Sequence, residues 1–301
     1  MSTAIVTNQT PSEITFSPEV AVRPTFLMCA PTLYDVTYVI NPWMAGNVHA
    51  SLREQATEQW NSLYQAMTRI SDVHLVAPQP GSPDMVFTAN AGLERDGIVM
   101  LSSFFHPERQ AEEDHFRRWF QAAGYHVLSL PRETAFEGEG DALFSTDGSR
   151  LWVGYGPRTL LTSHARLGTI WSVDVVSLHL VDPRFYHLDT CFAPLGGGFV
   201  LYYPPAFNAA SLAKIEAFYP VDKRIVVAEE DAVRFACNAV NIGRTIILNH
   251  ASETLVSSLR LNGFQPVQLD LSEFLKAGGA AKCLVMKLSK SELSTSKVSR
   301  S

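Results

Sequence analysis

No apolar run in this chain approaches the roughly 18 residues that a membrane-spanning helix requires, so a membrane partner is not expected. Basic charge is also missing: 24 Lys and Arg stand against 30 Asp and Glu, a net of −6, with no basic run. Phosphate binding needs clustered Lys and Arg, so nucleic acid is not expected as a partner either. Charge of either sign is scarce at 18%, while the apolar share is an ordinary 46%, which argues against a disordered chain. The four cysteines (Cys29, Cys191, Cys237, Cys283) include no CxxC pair, which excludes a disulfide framework and a structural zinc site. The opening MSTAIVTNQTPSE lacks the basic start and apolar core of a signal peptide. GxGxxG after a strand, GxxxxGK[ST], HExxH and GxSxG are absent, and with them the usual signatures of nucleotide and metal chemistry. The expectation is a soluble, cytoplasmic globular protein with free thiols.

What is present alternates in character. Residues 1–23 mix Ser, Thr, Pro and Glu without a period and are expected to form a loose arm; the Ser/Lys-rich 289–301 is expected to be a polar tail. No linker-like stretch interrupts 24–288, which reads as one large domain. Strands are expected at 25–28, 73–76, 98–101, 126–130, 151–154, 175–180, 198–203, 224–227, 245–249 and 283–288. Helices are expected at 50–70, 109–123, 163–171, 209–218, 252–262 and 272–277, the fifth stopped by Asn262-Gly263. Strands and helices in mixture give an α/β class, without a countable internal repeat. Gly196–Gly198 precedes an apolar strand rather than a helix, and so reads as a tight turn, not a phosphate cradle.

Four segments are unusual for a purely structural role. Gly278-Gly279-Ala280-Ala281 precedes Lys282-Cys283; small residues allow close backbone approach and leave the thiol reachable, although a lone cysteine is more often just buried. In Phe185–Cys191, an extended backbone would put His187, Asp189 and Cys191 on one face, a carboxylate beside an imidazole; a satisfied core histidine is the ordinary alternative. Phe136-Glu137-Gly138-Glu139-Gly140-Asp141 carries three carboxylates between apolar flanks, which repel one another unless a cation such as a guanidinium sits among them. A surface turn would be the plainer reading. Pro83–Gly92, with Asn90, and Ile40–Met44, with Asn41, fit simple turns on spacing alone. Together, Cys, His and carboxylates suggest thiolate attack on an electrophilic carbon, with His as acid/base and acidic groups holding a cation.

These segments resemble the guanidine-modifying superfamily of arginine deiminases, dimethylarginine hydrolases and amidinotransferases. LMCAPTLYDVTYVINPWMAGN, PDMVFTANAGL, FEGEGDALF, FYHLDTCFAPL, FACNAVN and LKAGGAAKCL are most similar to the arginine dihydrolase domain of cyanobacterial arginine-degrading enzymes. The resemblance implies a pentein, a five-bladed α/β propeller with its site on the central axis. It also implies that Cys283 is the nucleophile, His187 the general acid/base and Glu137 the carboxylate gripping the guanidinium. Asp141 and Asp189 match further substrate-side carboxylates, and Arg109 in HPERQ resembles the Arg that pairs with the substrate α-carboxylate. Asn41 and Asn90 look like substrate contacts of the dihydrolase group. Typical deiminases carry FTRD where this chain has Asn90 in FTAN; an ionised Asp only accepts, whereas an amide also donates and so fits the ureido carbonyl of citrulline.

The implied activity is conversion of L-arginine to L-ornithine, two ammonia and carbon dioxide, with citrulline as an intermediate and no metal or organic cofactor. Relatives usually carry Gly or Ala at Glu139; the added carboxylate is expected to point outward or to raise the pKa of its neighbours. Rival readings are a deiminase stopping at citrulline, a dimethylarginine hydrolase, an amidinotransferase and a silent arginine-binding module. A cysteine protease is disfavoured, because it would leave the carboxylates without a task. A homo-oligomer is allowed, and so is a place as one domain of a longer enzyme.

Overall fold

Four times along the chain a short strand turns tightly into a second, antiparallel strand, and a helix then carries the chain to a third strand parallel to the second. Parallel pairing demands such a crossover, because a tight turn cannot reverse the chain twice. The computed structural model describes residues 23–289, so the expected arm and tail lie outside the described residues except for Arg23 and Ser289. Gly92–Arg95 and Ile98–Leu101 lead through helix Ala111–Ala122 to His126–Leu128. Ala142–Phe144 and Arg150–Tyr155 lead through His164–Trp171 to Asp174–His179. Phe192–Leu195 and Phe199–Tyr202 lead through Ala209–Phe218 to Arg224–Val226. Val240–Ile242 and Thr245–Asn249 lead through Glu253–Leu261 to Gln265–Leu269. The remaining sheet joins the two ends of the described chain. Met286–Leu288 pairs antiparallel with Thr25–Cys29, which pairs parallel with Asp72–Val76 across helix Arg53–Ile70.

These five three-stranded sheets are the blades of the α/β propeller. Their first strands begin at 92, 142, 192, 240 and 286, so an internal repeat does exist, contrary to the expectation from sequence. Each helix packs outside its sheet: Ala56, Trp60, Leu63, Met67 and Ile70 are buried at alternating four- and three-residue spacing, one stripe of a helix. Asn208 and Ser252 cap their helices through side-chain acceptors, and Gly263 takes φ +83° after the helix that Asn262 ends. Gly196–Gly198 forms a hairpin turn as expected, with Gly197 and Gly198 at φ +72° and +74°. Buried Trp152 lies against Phe192, Phe218 and Tyr219 of the next blade, which makes the core continuous between blades.

The turn before each first strand faces the axis, and each is hydrogen-bonded to the next. Asn90 Nδ2 donates to Glu137 O (3.1 Å), and Leu188 N to Asp141 Oδ1 (3.0 Å). Asn238 Nδ2 donates to Asp189 O (3.2 Å), Lys282 N to Asn238 O (3.2 Å), and Ala89 N to Cys283 O (3.1 Å), which closes the ring. Crowding here dictates small residues. Gly138 has φ +61°, and a Cβ on it would lie 2.7 Å from the carbonyl oxygens of Ala89 and Gly92.

Candidate active site

Every residue singled out from the sequence lies on or beside this ring, and every one is buried. Cys283 does not open a strand, as expected, but sits in the turn before Met286–Leu288. Its Sγ lies 3.1 Å from Asn238 Nδ2 and 3.4 Å from Asp189 Oδ2. Burial pushes the Cys283 thiol up, and the Asp189 carboxylate adds to the effect. Burial likewise raises Asp189, to about 7, against the pull of Lys282. Burial thus favours the thiol form of Cys283, and a cation arriving beside the pair favours ionisation of both groups.

His187 Nε2 is 2.8 Å from Glu137 Oε2, which also accepts from Arg158 Nη1 at 3.0 Å. Burial alone would raise the Glu137 carboxyl, but the Arg158 charge and His187 overcome it and hold the group far below the usual carboxylate range. Asp141 accepts from Thr159 Oγ1 (2.7 Å) and Leu188 N (3.0 Å), and burial lifts its pKa to about 6. The extended His-Asp-Cys face expected from sequence does not form. Leu188–Thr190 is a 3₁₀ turn, which sends His187 toward Glu137, Asp189 toward Cys283, and Cys191 into the core against the His187 and Leu188 carbonyls.

Arg109 is engaged within the protein. Nε and Nη2 grip Glu112 (2.9 and 2.8 Å), Nη1 donates to Asn90 Oδ1 (2.9 Å) and Nη2 to Asp84 O (3.2 Å), over the Phe104 ring. Burial disfavours its charge, but Glu112 and Asp84 hold it protonated. Asn90 thus accepts from Arg109 and donates to Glu137 O, leaving one N–H and one lone pair for anything else. Asn41 fixes the entry loop, accepting from Trp43 N and Met44 N and donating to Ala277 O. Glu139 faces away from this cavity. It binds Lys282 Nζ (2.8 Å) and Lys287 N (2.9 Å) and lines a separate hollow of about 370 Å³. The cation among the three carboxylates of residues 137–141 is therefore supplied by the chain itself, Arg158 on one side and Lys282 on the other.

Sequence reasoning missed four participants. Arg158 also donates to Ile40 O and stacks on Tyr186, yet nothing in GYGPRTL marks it. Asp84 accepts from Tyr38, and Tyr186 donates to Gly278 O; both line the cavity. Asn238 holds the Cys283 turn. Among the described residues, Asp84 Oδ1 and Asp189 Oδ1 are buried and accept no hydrogen bond. Buried carboxylate oxygens without donors are costly; Asp84 and Cys283 wall one cavity and Asp189 touches the Cys283 sulfur, which favours a donor-rich cation beside Cys283. The cavity measures about 10 Å³ and is walled by Ile40, Asn41, Asp84, Phe87, Asn90, Arg109, Arg158, Tyr186 and Cys283. A larger surface hollow of about 860 Å³, between helix Arg53–Ile70 and Gln268–Asp270, is remote from these groups. Among the described residues no three His, Cys, Asp or Glu are placed to hold a metal, and no helix is long and apolar enough to cross a membrane.

The family of eukaryotic N,N-dimethylarginine dimethylhydrolases matches residues 38–290. The bifunctional arginine dihydrolase/ornithine cyclodeaminase ArgZ of Synechocystis is 55% identical over 87% of this chain, and AgrE of Nostoc is 54% identical. The chain spans 37% of the length of each. The N(G),N(G)-dimethylarginine dimethylaminohydrolase of Mycobacterium tuberculosis is 40% identical over 87% of this chain and 85% of its own. The N-terminal domain of ArgZ, solved as a cysteine-to-serine mutant bound to substrate, superposes with a TM-score of 0.87 at 54% identity, covering 88% of this chain and 97% of that one. A dimethylarginine dimethylaminohydrolase shares the fold at a TM-score of 0.72 and 18% identity, covering 88% of this chain and all of that one.

Proposed function

The chain belongs to the dimethylarginine dimethylhydrolase family of guanidine-modifying proteins, and from that membership we propose that it is an arginine dihydrolase, converting L-arginine to L-ornithine, two ammonia and carbon dioxide. The observation that carries this reading is the cavity that Cys283 shares with Asp84, whose buried Oδ1 accepts no hydrogen bond, together with the Asp189 carboxylate against the Cys283 sulfur. A guanidinium offers five N–H donors and one electrophilic carbon, which matches acceptors set around a nucleophile.

In the first cycle the guanidinium charge favours the Cys283 thiolate, which attacks the guanidinium carbon. His187, oriented by Glu137, protonates the departing ammonia. Water, deprotonated by the same imidazole, adds to the thiouronium carbon. The S–C bond then breaks to give citrulline and regenerate the thiolate. In the second cycle the thiolate attacks the ureido carbon and expels the second ammonia. Hydrolysis of the resulting thioester leaves a carbamate that decays to ornithine and carbon dioxide. Asn90 retains one donor and one acceptor, the combination a ureido group requires. Its other contacts give it a second task, to orient Arg109. Arg158, poised between Glu137 and the entry loop, is as well placed as Arg109 to meet a substrate carboxylate.

The test is an end-point assay on purified protein with arginine, quantifying ammonia, citrulline and ornithine. Ornithine with two ammonia per arginine is expected. Citrulline with one ammonia would make the protein a deiminase, and turnover of dimethylarginine alone would align it with the mycobacterial relative. Cys283→Ser is expected to abolish turnover while retaining arginine binding; turnover at the wild-type rate would refute the nucleophile.

A further inference from the structure

Resting on the reading of Cys283 as nucleophile, we propose that Asn238 is a catalytic residue, whose amide N–H stabilises the Cys283 thiolate while its amide oxygen fixes the turn that presents it. The orientation of the carboxamide is set by its surroundings. Oδ1 accepts from Ala280 N and Cys283 N, each at 3.1 Å, and the backbone carbonyl of the same residue accepts from Lys282 N. A flipped amide would point its NH₂ at two N–H donors, so the amino end faces the other way. There its two hydrogens reach Asp189 O at 3.2 Å and Cys283 Sγ at 3.1 Å. Asn238 is fully buried, and Phe235, three residues earlier, takes φ +57° between the Trp43 and Phe185 rings, which locks the turn that carries the amide.

The chemistry explains why an amide stands here. The sulfur faces Asp189 on its other side, so without a donor it would lie buried beside a carboxylate, the worst setting for a thiolate. A Lys or Arg would supply a donor, but its charge would repel the guanidinium that the same cavity is to receive. A neutral amide donates without that cost. The Ala280 and Asn238 hydrogen bonds act on the thiol in the direction opposite to burial and Asp189.

The test uses Asn238→Asp, which keeps the shape and can still accept from both backbone amides, together with Asn238→Ala. Iodoacetamide alkylation of Cys283 is followed against pH without substrate, with Cys283→Ser as the blank. kcat and KM for arginine are measured over the same pH range. In Asn238→Asp the alkylation inflection should rise by about one pH unit or more, because a donor becomes a second carboxylate. Its kcat at neutral pH should fall about tenfold or more and recover as the pH is raised, with KM changed by no more than about threefold. Asn238→Ala should shift the inflection in the same direction by less. Inflections at the wild-type pH in both variants, or an equal loss of kcat at every pH, would overturn the proposal, since a merely structural role predicts the latter. Failure of the wild type to turn over arginine would refute the dihydrolase reading, yet the alkylation profile would still decide the role of Asn238.

Discussion

At Asn90 a single atom decides between two hydrogen-bond patterns. Its Nδ2 donates to the Glu137 carbonyl, and its Oδ1 receives Arg109. Asn90→Asp would keep the contact with Arg109 but set an acceptor against a carbonyl oxygen, at a cost of about 1–3 kcal/mol. It would also remove the remaining donor. The expected outcome is a lower melting temperature together with citrulline accumulating at the expense of ornithine. A melting loss with an unchanged product ratio would confine Asn90 to structure. Asp189 supplies a pH dependence. Its pKa in the fold is about 7, against an ordinary 3.8. A carboxyl raised in this way contributes stability that is full below its ordinary pKa and is lost as the pH rises through about 7. A guanidinium stabilises the ionised form, so arginine binding should release a proton below that point. Calorimetry on Cys283→Ser should show affinity falling by up to about tenfold per unit as the pH drops below 7. A flat affinity from pH 5 to 8.5 would remove Asp189 from the binding site.

The sequence spoke unevenly about elements, and for a physical reason. All six expected helices and the middle strands of the blades are found, because helix periodicity and continuous apolar runs are strong local signals. Four of the blade-opening strands (Gly92–Arg95, Ala142–Phe144, Phe192–Leu195, Val240–Ile242) were not expected: at three or four residues they show too little alternation to count. Gln265–Leu269 was hidden by Pro266, which is tolerated because this strand lies at the edge of its sheet. The four-residue helix Glu229–Ala232 also went unread. The repeat escaped notice because the axial turns carry a different residue in each blade. Asn90, Glu137, His187, Asn238 and Cys283 occupy related places, and specialised chemistry has erased the likeness between them. The resemblance of whole segments, not spacing, pointed to the candidate site; Arg158 lies outside those segments, and the contact of Asn238, inside FACNAVN, with Cys283 is visible only in three dimensions. The closing strand gives a test at this scale. Met286 is fully buried against the apolar cluster of Leu27 and Cys29, whereas the Lys287 side chain is exposed. Met286→Ala should cost about 2–5 kcal/mol by denaturant titration, and Lys287→Ala no more than about 0.5 kcal/mol. Equal effects would mean that this strand does not close the propeller through its apolar face.

On the scale of the whole molecule, closing five blades into a ring creates a problem of access. A cavity of about 10 Å³ has room for about one water, far less than arginine, so some wall must move. The five axial turns are poor candidates, because each is hydrogen-bonded to its neighbour and stands on a sheet. Of the other walls, residues 35–51 contain no helix or strand and contribute Ile40, Asn41 and Met44 to the cavity. This segment exposes Val39 and Val48 and is joined to the rest of the protein mainly through side chains: Tyr38 to Asp84, Asn41 to Ala277 O, Trp43 to Arg184 O, Arg158 to Ile40 O and Lys276 to Ala50 O. Segments without strand or helix hydrogen bonding open at low free energy, and this one has neither. One of these ties comes from Arg158, which also holds Glu137, so opening the loop frees one hand of the residue bound to the Glu137–His187 pair. Hydrogen exchange on Cys283→Ser should therefore show residues 35–51 exchanging fast alone and slowing on addition of arginine, with the axial turns slow throughout. Slowing confined to the turns would place the gate in the ring instead, and an unchanged pattern would mean that arginine enters without this loop moving.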